Sequence, residues 1–109
     1  MATTDAWFAL ADPTRRAVLA RVASGVGGAT DIAADLPVSR PAVSQHLKVL
    51  LAAELVDVSR QGRHRIYTVR SSGLETVRRE LDAFWDEALA NLKVVAERDV
   101  RSLEIQGQS

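Results

Sequence analysis

Arg40, Pro41, Ser44, Gln45 and Lys48 fall one helical turn apart in a stretch whose other stripe, Val43, Leu47, Leu50 and Leu51, is apolar. On a helix these sets take opposite faces. The polar face is small and positive and contains no acid. It suits the major groove of DNA, which admits a helix. There Gln45 matches N6 and N7 of adenine, Arg40 matches O6 and N7 of guanine or a phosphate, and Ser44 suits either. Ser39 and Lys48, one at each end, more naturally reach phosphates. Taken alone, such a face is more often solvated surface than a groove-binding one. Its neighbours favour DNA.

A second cluster lies downstream. Arg60, Arg63, His64 and Arg65 surround Gly62 with no acid among them. Such groups repel one another until something neutralises them, as a phosphate backbone does. A narrow minor groove also attracts arginine. Tyr67 reads as a core residue rather than a platform for stacking. The charge pattern agrees. Residues 36–70 carry a net charge of +4, between flanks of −1 and −3, although the chain as a whole is neutral. A partner feels the local field, not the total.

Catalytic chemistry finds no footing. There is no cysteine, hence no disulfide, thiolate metal site or cysteine nucleophile. Ser44 and His46 lie two apart on a helix and point away from each other. No nucleophile elbow, phosphate loop or metal-ligand motif is present. Asp82, Asp86 and Glu87 form an oxygen-only group that reads as helix surface, since zinc sites usually need His or Cys. His46 lies beside the apolar stripe and reads as a hydrogen-bonded structural residue. The expectation is a protein that is not an enzyme and has no cofactor and no metal.

The elements that would position these residues are legible. The chain has 109 residues, 47% hydrophobic and 26% charged, as in one ordinary globular domain. Residues 6–11 read as a short apolar helix. Asp12-Pro13 starts a second helix running to Ala23, closed by the glycine-rich stretch 24–28. Thr30 is the expected cap of a short helix over 31–35, and Ser39 of a helix over 40–53. These two form a helix-turn-helix candidate at 31–53. Strands at 55–59 and 65–69, joined by a turn at Gln61-Gly62, form a two-stranded antiparallel hairpin. Ser72 to Glu75 has capping-box spacing and opens a long helix over 73–97 or beyond. Residues 104–109 are expected to fray. The fold class is mainly α with a small β-hairpin: a winged helix-turn-helix in a single domain, with helices flanking the wing at 55–70. No apolar run of about 18 residues spans a membrane, and Met1 to Asp5 has no basic leader. A cytoplasmic protein is expected.

Three blocks, in order, resemble the ArsR family of winged-helix repressors. Ala9 to Arg16 (ALADPTRR) is similar to its N-terminal signature, Val38 to Leu50 (VSRPAVSQHLKVL) to its recognition helix, and Leu55-Val56 with Gly62 to Tyr67 to its wing. The likeness covers about residues 6–92. It implies a prokaryotic homodimer that binds an operator in double-stranded DNA and blocks transcription, often until an inducer releases it. Metal-sensing members carry a cysteine pair in the first motif helix, or His and acidic ligands on the last helix. This chain has neither, which leaves the inducer unassigned. The expected function is therefore a sequence-specific DNA-binding regulator acting on an inverted repeat. The alternatives are a winged-helix protein-interaction module, or a metal-responsive repressor with a non-cysteine site.

A dimer has its own signal. Leu81, Phe84, Trp85, Ala88, Leu89 and Leu92 make a stripe wider than one small core absorbs, and Trp7, Phe8 and Leu10 are available to pack on it. Two motifs one DNA turn apart read a palindrome, which one motif does not. The expected interface therefore joins the first helix, 5–11, to the last.

Overall fold

The computed structural model describes residues 5–107. Seven elements follow one another: α1 (Ala6–Ala11), α2 (Pro13–Ala23), α3 (Ala29–Ala34), α4 (Arg40–Ala52), β1 (Val56–Gln61), β2 (His64–Val69) and α5 (Ser71–Gly107). The chain divides into two units, one through Val77 and one from Arg78 onward, with α5 contributing to both.

In the first unit α2 packs against α1, α3, α4 and β2. Val18, Ile32, Val43, Leu47, Leu50, Leu55 and Val56 are fully buried at its centre. Tyr67 joins this core, as its sequence position suggested.

The caps explain the boundaries. Asp5 accepts from the Trp7 amide at 2.9 Å. Asp12 accepts from the amides of Thr14 (2.8 Å) and Arg15 (3.2 Å) and starts α2 with Pro13 behind it. Ser39 Oγ accepts from the Ala42 amide at 3.2 Å and starts α4. At the far end of α4 the Glu54 amide donates to Leu51 O and the Leu55 amide to Leu50 O, both at 3.0 Å. This is the Schellman arrangement, and it places Glu54 at a positive φ of 62°. Leu55 and Leu50, both fully buried, make the apolar contact that accompanies it.

Three boundaries differ from the sequence expectation. α3 begins at Ala29 with Gly28 as its cap, so Thr30 lies inside the helix. Gly28 is extended there and is a tolerated cap, and Asp31 then sits in the first turn, where the helix dipole favours it. The hairpin turn is Gly62-Arg63, one residue later than expected, because Gln61 pairs with His64. Gly62 adopts φ 63° while Arg63 does not have a positive φ, as a two-residue turn with glycine first requires. The strands accordingly reach one or two residues nearer the tip than expected. Finally, α5 starts at Ser71, so Ser72 is within its first turn rather than at its cap. The Arg70 carbonyl accepts from Gly73 (3.1 Å) and Leu74 (3.3 Å). The position of Arg70 is fixed by its amide, which donates to Leu55 O at 2.9 Å.

The second unit is the remainder of α5, which extends to residue 107. It includes residues 104–107 of the stretch expected to fray. Residues 108 and 109 lie outside the described residues. Leu81, Phe84, Trp85, Leu89, Leu92, Val94, Val95, Val100 and Leu103 are all exposed along it. Among the described residues no helix is long and apolar enough to cross a membrane.

Candidate nucleic-acid interface

α4 presents Arg40, Ser44 and Lys48 at successive four-residue steps, one above another on the same face. They line an open groove of about 730 Å³. The hairpin contributes Gln61, Arg63, His64, Arg65, Ile66 and Tyr67 to its lining. The third side is the start of α3, from Gly28 to Asp31. The wing is tied to this third side by a hydrogen bond from the Tyr67 amide to Gly27 O at 2.8 Å. The register of the hairpin and the placement of α3 therefore depend on each other.

Six of the ten residues singled out for DNA thus share one groove. The other four, Ser39, Pro41, Gln45 and Arg60, are exposed but do not line it. Pro41 and Gln45 occupy the neighbouring outward stripe of α4. Ser39 lies at the tip of α4 with its oxygen engaged by the Ala42 amide. Arg60 stands directly opposite Arg65 across the hairpin. Like charges in that position destabilise a strand pair until a counter-charge arrives.

The electrostatics are one-sided. Residues 36–70 hold two acids, Glu54 and Asp57, and Arg70 engages both. Its Nε and Nη2 donate to Asp57 Oδ1 at 2.8 and 2.6 Å, and Nη1 donates to Glu54 Oε1 at 3.4 Å. The hydrogen bond and charge of Asp57 hold the Arg70 guanidinium still more firmly protonated than usual, with a smaller contribution from Glu54. Arg70 is thus a structural member of the basic block. Among the described residues no acid forms an ion pair with Arg40, Lys48, Arg60, Arg63 or Arg65.

Sequence reasoning missed the α3 wall of the groove. It brings Thr30 and one acid, Asp31, to the basic surface. Gly27 was the available signal, because a Cβ there would lie 2.7 Å from Ile66 Cγ2 and 2.9 Å from Tyr67 O of β2. His46 also departs from expectation. It is half-buried, and it makes no hydrogen bond among the described residues. Its charge, however, acts on Asp12. That carboxyl is held below the usual range chiefly by the Arg15 amide, helped by the Thr14 amide and by the charges of Arg15 and His46, against some desolvation.

Of the residues expected at a dimer contact, Trp7 and Phe8 are exposed on α1, and Leu81, Phe84, Trp85 and Leu92 are exposed on α5. Leu10 and Ala88 are half-buried, and Leu10 packs on the core of its own unit. Phe84 and Trp85 meet edge to face, with ring centroids 5.7 Å apart. Among the described residues no three His, Cys, Asp or Glu side chains gather as a metal site would.

Comparison with known proteins places this geometry. Residues 10–59 match a family described as a helix-turn-helix domain. The chain is 54% identical over 84 residues to the HTH-type transcriptional regulator Rv2034 of Mycobacterium tuberculosis, covering 77% of this chain and 78% of that one. It is 36% identical over 67 residues to the transcriptional repressor SdpR of Bacillus subtilis, covering 62% and 74%. In three dimensions it is similar to an ArsR-like transcriptional regulator from Rhodococcus sp. RHA1. The TM-score is 0.66 at 35% identity, with 83% of this chain and 88% of that one covered. The names of these relatives are those of regulators, not of enzymes, in line with the sequence reading.

Proposed function

The chain belongs to the ArsR-like family of winged helix-turn-helix transcriptional regulators, and from that premise we propose that it is a cytoplasmic homodimeric repressor bound to an inverted-repeat operator. The observation that carries this reading is the shared basic groove. Arg40, Ser44 and Lys48 of α4 and Arg63, His64 and Arg65 of the hairpin all line it. α4 enters the major groove. Gln45, Arg40 and Ser44 meet base edges, while Lys48 and Ser39 meet phosphates. The wing carries Arg60, Arg63, His64 and Arg65 onto the backbone or the adjoining minor groove. The exposed aromatic residues of α1 and α5 bring two copies together, which sets the half-site spacing.

Selection from a randomised duplex library at about 0.15 M salt, near the physiological screening length, tests the whole reading. The expected product is an inverted repeat with half-sites roughly 10 base pairs apart, or a multiple of that. Salt-sensitive bulk binding without an enriched sequence would overturn it in favour of a winged domain with a protein partner.

Two substitutions separate reading from anchoring. Gln45→Ala is expected to cost about 1–3 kcal/mol of discrimination at one base pair per half-site, leaving the other positions intact. Lys48→Ala is expected to weaken every sequence alike and to lower the salt slope by about one. Competition titrations against single-base operator variants, repeated over a salt series, measure both. Unchanged preference in Gln45→Ala would remove that residue from the base-reading set.

A further inference from the structure

A six-residue helix does not hold itself in water, and α1 has six residues. The last four carbonyls of a helix lack partners within it. In α1 these belong to Phe8, Ala9, Leu10 and Ala11. Two adjacent side chains of α2 take all four. Arg15 Nη1 donates to Ala9 O at 3.1 Å and to Phe8 O at 3.4 Å. Arg16 Nη1 donates to Leu10 O at 2.8 Å and to Ala11 O at 3.4 Å. Two cations therefore stand at the negative end of the α1 dipole. The Arg15 guanidinium also lies 5.6 Å from the centre of the Phe8 ring, within cation–π range. Asp12 Oδ2 lies 3.9 Å from Arg15 Nη2 while Oδ1 caps α2. The segment from Asp12 to Arg16 thus ends one helix and begins the next.

What this clamp holds in place is an exposed aromatic pair. Trp7 is 41% exposed and Phe8 63% exposed, whereas Ala9 is fully buried. α1 is anchored by Ala9, by the half-buried Ala6 and Leu10 and by two arginines, and it turns its two aromatic residues outward. We propose that Arg15 and Arg16 are positioning residues for dimer assembly, holding α1 so that Trp7 and Phe8 meet a second copy of this chain. The proposal rests on the homodimer reading above. Neither arginine need touch the partner. Each acts by fixing the helix that does. In a two-fold assembly every clamp counts twice.

The test is sedimentation over a protein concentration series, combined with amide hydrogen exchange in α1. Arg15→Ala and Arg16→Ala are each expected to raise the dimer dissociation constant by about tenfold or more, since each removes charged hydrogen bonds from both copies. The amides of Leu10 and Ala11 should exchange faster in the same variants. Arg16→Lys keeps a cationic donor at the helix end and is expected to stay within about threefold of the parent. Arg16 is exposed, so its alanine variant answers the question even if Arg15→Ala does not fold. A merely structural clamp would lower the urea midpoint and leave the dissociation constant unmoved, and that result overturns the proposal. Weakened dimers with unchanged α1 exchange overturn it as well. A parent chain that sediments as a monomer overturns the homodimer reading instead, and this inference falls with it.

Discussion

Leu81→Asp combined with Phe84→Asp is expected, on the homodimer reading, to yield a folded monomer that no longer discriminates the selected operator. Leu81 is 38% exposed and Phe84 60% exposed in the single chain, so a carboxylate at either position costs the fold little. Across a two-fold contact the same change buries four unpaired charges, which an interface does not tolerate. The motive for an interface is plain. Nine of the twelve exposed large hydrophobic residues described lie on α5 from Leu81 onward, far more than scattered surface residues would give. Specific complexes are typically about 10³-fold or more tighter than non-specific ones, so loss of the second half-site should cost an effect of that order. Sedimentation gives the mass, titration against the selected operator gives the affinity, and circular dichroism checks the fold. A variant that remains dimeric moves the interface off this stretch of α5.

Gly73→Ala is expected to destabilise the first unit strongly. A Cβ at residue 73 would lie 2.0 Å from the carbonyl oxygen of Glu54 and 3.0 Å from its carbon. Both obstacles are backbone atoms. Glu54 cannot give way, because its amide and that of Leu55 close the end of α4 and Leu55 is fully buried. α5 can retreat only by stretching the bond from the Arg70 amide to Leu55 O. Overpacking against a rigid neighbour costs about 3 kcal/mol at the upper end of its usual range. That is a large share of the roughly 5–15 kcal/mol that stabilises a small domain. The urea midpoint should fall accordingly, while Ser72→Ala, one residue away and exposed, should stay near the parent. An unchanged midpoint in Gly73→Ala would mean that the first turn of α5 has room to shift.

Much of this was legible from local chemistry. Asp12-Pro13 and Ser39 fixed the starts of α2 and α4, because a capping oxygen needs nothing beyond the next three residues. The apolar spacing of α4 predicted Val43, Leu47 and Leu50 of its buried face, while Leu51 is only half-buried. The misplaced boundaries share a different origin. Thr30 and Ser72 both looked like caps, yet the chain turns earlier in each case. Gly27 O is bonded to the Tyr67 amide just ahead of α3, and the Arg70 amide is bonded to Leu55 O just ahead of α5. Both contacts are non-local, and a window of a few residues does not contain them. The same holds at the candidate site. Helical spacing grouped Arg40, Ser44 and Lys48, but Asp31 joins their groove only because α3 packs on α4 and the chain just ahead of it, at Gly27, is bonded to β2. Arg70 resembled its basic neighbours until the folded chain brought it to Asp57 and Glu54.

Arg60 and Arg65 oppose each other across the hairpin, and on the operator reading this would tie the lifetime of the protein to its occupancy. A wing that repels itself when empty is relieved by any polyanion that prefers the folded form. Such a ligand stabilises by mass action, by about 2.7 kcal/mol when present at a hundred times its dissociation constant. On the operator reading, molecules seated on DNA unfold rarely, and the surplus in solution unfolds more often. Proteases that attack the unfolded chain then remove chiefly the unemployed copies. The cell would hold its supply of regulator close to its number of sites without a separate sensor for either.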